Sequence, residues 1–324
     1  MMQRPVSMVH VRAPGKINLA LCVGAVRPDG YHDLATVFQA VSVFEEVHAH
    51  TAREFSVEFT GPIDTSMLTG DDTLVHRAAR LVAAELTAQQ RSQFGVAGDA
   101  LPGIRIVVEK HVPIAGGMGG GSADAAATLL ACNVIWDAGL EKERLLELAA
   151  MLGADVPFSM LGGTALGLDR GDQLTPVLTA GELAWVLVPS TFGLSTPAVY
   201  AELDRLRSTG EVPNPIEAVV APDLFAALRG GKPESLVNAL TNDLEAAAFS
   251  LSPELQKLAS SLAERPEVLR CMVSGSGPTL AILTQAGSDA VRLAEELRSA
   301  GLPAVAAHGP VSGAHFVHDT PADQ

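Results

Sequence analysis

Positive charge is scarce in this chain: 22 Lys and Arg stand against 37 Asp and Glu over 324 residues, a formal net charge of −15. Such a surface disfavours general binding to nucleic acid or to an anionic membrane. An anionic nucleotide would need cations gathered locally. Cysteine is scarce too. Cys22, Cys132 and Cys271 are odd in number, far apart and set among apolar neighbours, which argues against a disulfide framework or a paired-cysteine zinc site and predicts buried free thiols in a reducing cytoplasm. No apolar run approaches the roughly 18 residues of a membrane span. Arg4, Arg12 and Lys16 interrupt what would have to be a hydrophobic signal segment. Internal repeats, low-complexity tracts and the G-x-S-x-G elbow of serine hydrolases are absent. His48 and His50 share a strand face, but no third ligand accompanies them, so no protein metal site is expected.

What is present is a 48% apolar chain, enough for a real core, of a length that leans toward two domains. Its most informative stretch runs from Pro113 to Ala127. Gly116, Gly117, Gly119, Gly120 and Gly121 fall within six positions and lead at once into an alanine-rich helix pattern. Without Cβ atoms such a loop turns tightly and brings backbone N–H groups close to a ligand. Ser122 is expected as the helix N-cap, and the unpaired N–H groups and positive dipole end of the helix then face the loop, which makes an anion site suited to phosphate. Neither common phosphate fingerprint fits. No Lys follows the glycines as a Walker loop requires, and a dinucleotide G-x-G-x-x-G started at Gly117 meets Ser122 at its sixth position.

Around this loop the pattern reads as strands over 8–12 and 17–23 flanking a turn at Ala13-Pro14-Gly15, then strands over 41–49 and 55–59. A helix follows Asp71-Asp72-Thr73, with polar loop over 89–101 and a strand over 104–108. Helix over 142–152 ends at Gly153, and Pro157 suits the first turn of a short helix. The second half offers a strand over 183–188, helix over 195–206, a surface excursion over 208–222, and helices over 235–240 and 253–265. Strands over 270–273 and 280–283 flank Ser274-Gly275-Ser276-Gly277-Pro278, and a helix over 289–300 and a strand over 304–307 follow. This order predicts an α+β protein of two domains, residues 1–170 and 171–318.

Two side chains stand out as candidate chemistry. Lys16, in A-P-G-K-I-N-L, follows a tight turn at the head of an apolar strand and reads either as a solvated lysine at a strand end or as a cation that offsets developing negative charge near a hydroxyl or phosphate. Asp155, in G-A-D-V-P, reads either as a helix N-cap or as a base beside a substrate hydroxyl.

Taken together, three segments resemble, in order, the motifs of the GHMP kinases: Pro14-Gly15-Lys16-Ile17-Asn18-Leu19, Pro113-Ile114-Ala115-Gly116-Gly117-Met118-Gly119-Gly120-Gly121-Ser122-Ala123, and Ser274-Gly275-Ser276-Gly277-Pro278. Arg27-Pro28-Asp29-Gly30-Tyr31-His32, with Phe38 and Gln39 beyond it, is similar to the branch of that family whose acceptor is a cytidine diphosphate-linked methylerythritol of the non-mevalonate isoprenoid route. The resemblance covers most of residues 8–170 and a patch near 275.

It implies a two-domain α+β fold with an N-terminal nucleotide-binding domain, a smaller ferredoxin-like C-terminal domain and the active site between them. Lys16 and Asp155 would be the catalytic pair, Asp155 taking the proton of the acceptor 2-hydroxyl. The loop 113–123 would wrap the phosphates of ATP, with Mg2+ bridging their oxygens, and Gly275, Ser276 and Gly277 would form a second turn beside the nucleotide. Lys110 would lie near the adenine, while Asn18, Tyr31, His32 and Phe38 would hold the cytidine diphosphate substrate, the rings by stacking and His32 by hydrogen bonds. A monomer or weak homodimer is expected. Ala123 stands where the family commonly has a second serine, and Thr73 where it often has asparagine. Phosphoryl transfer asks a protein mainly for positioning and charge stabilisation, which this residue set supplies. Rival readings are a GHMP kinase for another small alcohol, a silent nucleotide-binding module, which should have lost Lys16 or Asp155, and a nicotinamide oxidoreductase, which fails on its fingerprint.

Overall fold

The computed structural model describes residues 6–95, 100–190 and 193–317. Its first half holds β1 (Met8–Val26), β2 (His32–Thr51), β3 (Phe55–Thr60), α1 (Leu74–Glu85), α2 (Ala88–Gln93), β4 (Ile104–Glu109), α3 (Gly120–Ile135), α4 (Lys142–Leu152), α5 (Val156–Leu161), β5 (Thr164–Asp169) and β6 (Gln173–Pro176). The second half holds β7 (Leu183–Val188), α6 (Thr196–Ser208), α7 (Pro222–Gly230), α8 (Pro233–Leu236), β8 (Thr241–Asn242), α9 (Glu245–Leu251), α10 (Pro253–Ala263), β9 (Val268–Val273), β10 (Leu280–Thr284), α11 (Gly287–Ser299), β11 (Val305–Gly309) and β12 (His315–Phe316). No helix among the described residues is long and apolar enough to cross a membrane.

The first sheet is built on one long hairpin. The two strands expected over 8–12 and 17–23 are a single strand, β1, and Pro14-Gly15 is a shift in its register against β2 rather than a turn. Proline cannot donate to a ladder, so the slip falls where its missing N–H does least harm. The irregularity lets one strand serve two cores. Val11 and Ala13 before it pack with α1, α3 and α4, whereas Ile17 and Leu19 beyond it pack toward the second sheet. The sheet runs β12-β1-β2-β4-β3, with β5 on the other stretch of β2, β6 on β5, and β8 parallel to β1. β6 thus extends the first sheet past residue 170, and β12 returns to it from the end of the described chain.

The second sheet runs β11-β7-β10-β9, all antiparallel. Its chain order is strand, helices, two strands, helix, strand, the ferredoxin-like split arrangement. β7 is buried along its length and sorts its side chains by period two. Leu183, Trp185 and Leu187 face the core shared with β1, β2, α7 and α8; Ala184, Val186 and Val188 face α10 and α11. The expected two-domain α+β fold is therefore present, its sheets joined through an apolar layer.

Several local expectations are corrected. Residues 89–93, expected as loop, belong to α2, because Thr87 and Gln90 close a capping box on a polar helix with no buried face; residues 96–99 of the same stretch lie outside the described range. The helix over 235–240 reduces to the single turn α8. α7 and α9 were not anticipated, nor were β5, β6, β8 and β12. The three thiols are free, but only Cys132 is fully buried, with Cys22 and Cys271 half-buried.

Candidate active site

Three glycine-bearing segments meet at the seam between the sheets. The first is the β1 slip, after which Lys16 donates its backbone N–H to the Met118 carbonyl at 2.9 Å, tying the strand to the phosphate loop. The second is that loop. Gly117 and Gly119 adopt left-handed φ of 76° and 72°, and α3 starts immediately at Gly120, with Gly119 rather than the expected Ser122 in the N-cap position. Ser122 lies in the first turn, among residues whose N–H groups precede the regular helix ladder. The third is the turn after β9, where Ser274 N–H donates to the Thr279 carbonyl and Gly277 N–H to the Ser274 carbonyl.

The second and third segments touch through backbone. A Cβ on Gly117 would sit 2.4 Å from the Ser274 carbonyl oxygen, and one on Gly275 would sit 3.3 Å from the Gly117 carbonyl and 3.4 Å from Lys16 Nζ. Only glycine permits both the left-handed backbone and this approach. Asn242 holds the third turn in place: its side-chain amide donates to the Val273 and Gly275 carbonyls at 2.8 Å each. The Glu245 carboxylate accepts from Val273 N–H at 2.8 Å.

Lys16 is almost fully buried, yet its ammonium reaches a cavity. Nζ donates to Asn18 Oδ1 at 2.9 Å and lies 3.8 Å from Asp155 Oδ2 and 5.5 Å from the centre of the Phe38 ring. Asn18 is oriented in turn by donating to Thr36 Oγ1 at 2.7 Å, and Thr36 donates to the Ala20 carbonyl. Asp155 occupies the N-cap position of α5 but makes no side-chain capping bond. Its carboxylate is one-third exposed and faces Lys16 instead, so the helix-capping role available from the sequence is not the one its side chain fills.

Lys16, Asn18, Phe38, Asp155, Gly275 and Ser276 line a cavity of about 200 Å3 that also reaches Gly117 and Gly119. Those two glycines lead into a second cavity of about 300 Å3, walled by 113–117, 119–122, Lys110 and Asp124. Beyond it, a space of about 350 Å3 is lined by Phe59, Met67, Leu68, Leu74 and Asp71 to Thr73. On the opposite side Leu34, Arg170, Thr196 and Tyr200 are shared with a fourth cavity of about 520 Å3, which contains Tyr31, His32 and Asp204.

Lys110 is buried at the foot of the loop, where its ammonium bonds to Glu45 and, at 2.7 Å, to Asp124 Oδ2. Two carboxylates thus share one cation out of water. Burial pushes the Glu45 carboxyl up to about 8, with the neighbouring Asp124 adding to the rise and Lys110 opposing it. Asp124 is raised in the same direction by burial.

The fourth cavity brings together residues far apart in sequence. Tyr31 and His32 follow the hairpin turn; Tyr200 and Asp204 lie one turn apart on α6, whose other face buries Val199, Leu203 and Leu206. His32 Nε2 bonds to Asp204 Oδ1 at 2.9 Å, and its ring lies 5.2 Å from that of Tyr200. Tyr31 is exposed, its ring beneath the Arg170 guanidinium at 4.1 Å. Phe38 and Asn18 are not part of this cavity. Paired across β1 and β2, they line the cavity that holds Lys16 and Asp155, and the Phe38 ring is packed against Phe158 at 5.0 Å. Of the stacking rings expected, Tyr31 is therefore accompanied by Tyr200 rather than by Phe38.

A cradle of glycine backbone beside a lysine–aspartate pair, set between a split-βαβ sheet and a long hairpin, defines a small-molecule kinase of the GHMP class. Residues 73–163 match the GHMP kinases N terminal domain and residues 224–302 the GHMP kinases C terminal domain. A protein of Paenarthrobacter aurescens named 4-diphosphocytidyl-2-C-methyl-D-erythritol kinase is 47% identical over 96% of both chains. One of the same name from Clavibacter michiganensis is 48% identical, again over 96% of both. A crystal structure of 4-(cytidine 5'-diphospho)-2C-methyl-D-erythritol kinase superimposes with a TM-score of 0.70 at 32% identity, covering 92% of this chain and 98% of that one. The chain belongs to the 4-diphosphocytidyl-2-C-methyl-D-erythritol kinase family of GHMP kinases.

Proposed function

We propose that this kinase transfers the γ-phosphoryl group of ATP to the 2-hydroxyl of 4-diphosphocytidyl-2-C-methyl-D-erythritol, in the cytoplasm, where free thiols such as Cys22 and Cys271 persist. The observation that carries this reading is the succession of the four cavities, each sharing lining residues with the next. They run from an apolar slot, past the glycine cradle and the Lys16–Asp155 pair, to a pocket with two tyrosines and a carboxylate-held histidine. An acceptor without a base would leave that last pocket unused.

In this reading the adenine enters the slot by Phe59, Leu68 and Leu74, and the backbone N–H groups of the loop and of the first turn of α3 take the phosphates. Mg2+, arriving with ATP, would neutralise phosphate charge, and the Ser122 hydroxyl at the cavity wall would be a protein oxygen available to hold it. Asp155 accepts the proton of the attacking 2-hydroxyl as the new O–P bond forms and the bond to ADP breaks. Lys16, aimed by Asn18, stabilises the charge that develops on the transferring group. Lys110 supports the loop from beneath through Glu45 and Asp124.

At the other end, the Asp204 carboxylate bonds to His32 Nε2 and fixes the orientation of the ring, whose remaining nitrogen is then the one to meet the polar edge of the cytosine. Tyr31 and Tyr200 supply faces for stacking. The test is phosphoryl transfer by the purified chain to a panel of the diphosphocytidyl acceptor, mevalonate, homoserine and galactose. Transfer to the cytidine acceptor alone supports the reading. Preferential transfer to any of the others overturns it.

A further inference from the structure

The acceptor proposed above carries two phosphates between its base and the hydroxyl that reacts, and those phosphates must cross the wall shared by the base cavity and the reaction cavity. Leu34, Arg170, Thr196 and Tyr200 form that wall, and Arg170 is the one charged residue among them. In a chain of net charge −15, a guanidinium at this point is not background.

Local structure fixes where it stands. β5 pairs with β2 so that Asp169 lies opposite Leu34, which brings Arg170, the next residue, alongside the Tyr31 turn. The Arg170 Cζ lies over the Tyr31 ring at 4.1 Å from its centre, and one N–H donates to Asp29 Oδ2 at 3.3 Å. That carboxylate is also held by Arg27 at 3.4 Å, and Arg27 further engages Asp33 and Asp169. Arg170 therefore shares its acidic partner with a better-neutralised arginine, is about half exposed, and has a planar fork already oriented by the ring below it. Such a fork suits the paired oxygens of a diphosphate.

We infer that Arg170 binds the diphosphate bridge of the acceptor and sets the preference for a nucleoside diphosphate over the bare nucleoside. The inference rests on the acceptor class proposed above. It assigns Arg170 two jobs through one geometry, a charge contact to the bridge and a lid on the Tyr31 ring, of which only the first distinguishes CDP from cytidine.

The experiment measures cytidine, CMP and CDP as competitive inhibitors against the acceptor, in the wild type and in Arg170→Gln and Arg170→Lys, with the KM for ATP as control. In the wild type, affinity should rise from cytidine to CDP. Arg170→Gln should weaken CDP roughly tenfold to a hundredfold, the scale of a lost charged hydrogen bond, while cytidine, which loses only the lid on Tyr31, weakens by less than about fivefold and the KM for ATP changes less than about twofold. Arg170→Lys should keep part of the CDP preference, and added salt should erode that preference in the wild type more than in Arg170→Gln. Equal losses for cytidine and CDP would show that Arg170 only shapes the stacking platform, which overturns the inference and leaves the acceptor class standing. A wild type inhibited by none of the three would overturn the acceptor class, and the inference with it.

Discussion

The Ser274 carbonyl oxygen occupies the space where a side chain on Gly117 would begin, 2.4 Å from an ideal Cβ there. Through this contact the phosphate loop and the turn after β9, more than 150 residues apart in sequence by their numbering, form one surface. The site is thus a junction of two backbones before it is a set of side chains.

Gly117→Ala should separate them. The left-handed φ of 76° alone costs an ordinary residue ~1–2 kcal/mol, and the Cβ must also push the Ser274 turn away. Affinity for a nonhydrolysable ATP analogue should fall, and turnover should drop by roughly 10²-fold, the scale of a 1 Å misplacement. Calorimetry on the folded variant checks this; an unchanged affinity would mean that the two turns need not touch to bind ATP.

His32→Ala removes the ring that Asp204 orients at 2.9 Å. Cytosine groups left unpaired should cost ~1–3 kcal/mol, raising the KM for the cytidine acceptor by roughly 5- to 150-fold while the KM for ATP stays nearly constant. Asp204→Ala should move the same constant in the same direction by less. Were both Michaelis constants unmoved in His32→Ala, the histidine would be a strand-end filler and not a base reader.

These residues also mark what could be read from the chain. The glycine loop, the K-I-N strand and the G-A-D-V-P turn announce themselves because backbone geometry and short spacing leave local traces. Tyr200 and Asp204 leave none. They lie on an ordinary amphipathic helix, and only the packing of Val199, Leu203 and Leu206 against β1 and α9 turns their face toward Tyr31. Asn242 was equally silent, since a buried amide holding two carbonyls has no periodicity to betray it. Phe38 sits close to Tyr31 in sequence, but on β2 it points to the Lys16 side, against Phe158, and so lines the neighbouring cavity instead of the one that holds Tyr31. α2 could have been found, because Thr87 and Gln90 carry the spacing of a capping box.

Protonation of the buried Lys110–Glu45–Asp124 group should appear in stability. Burial and Asp124 hold the folded Glu45 carboxyl near 8, against an ordinary value of about 4.3. Between those pH values the folded chain keeps a proton that the unfolded chain has released, so stability falls as pH rises. The contribution is complete below the ordinary value and is lost as pH rises through about 8. Glu45→Gln keeps an acceptor for Lys110 but cannot titrate. Urea unfolding at a series of pH values should therefore show the variant gaining on the wild type from about pH 5 to 8.5; a constant difference across that range would place the proton elsewhere.

The central claim is that Asp155 is the base and Lys16 its charged partner across 3.8 Å. Asp155→Asn removes no helix-capping bond, because the side chain makes none, and it preserves shape while losing the capacity to take a proton. The most direct measurement is the steady-state rate of phosphoryl transfer to the cytidine acceptor by Asp155→Asn beside the wild type, with acceptor binding followed separately by calorimetry. The account predicts a fall in kcat of roughly 10²- to 10⁴-fold with acceptor affinity largely retained. Turnover within a few-fold of the wild type, in a variant that binds the acceptor normally, would contradict it.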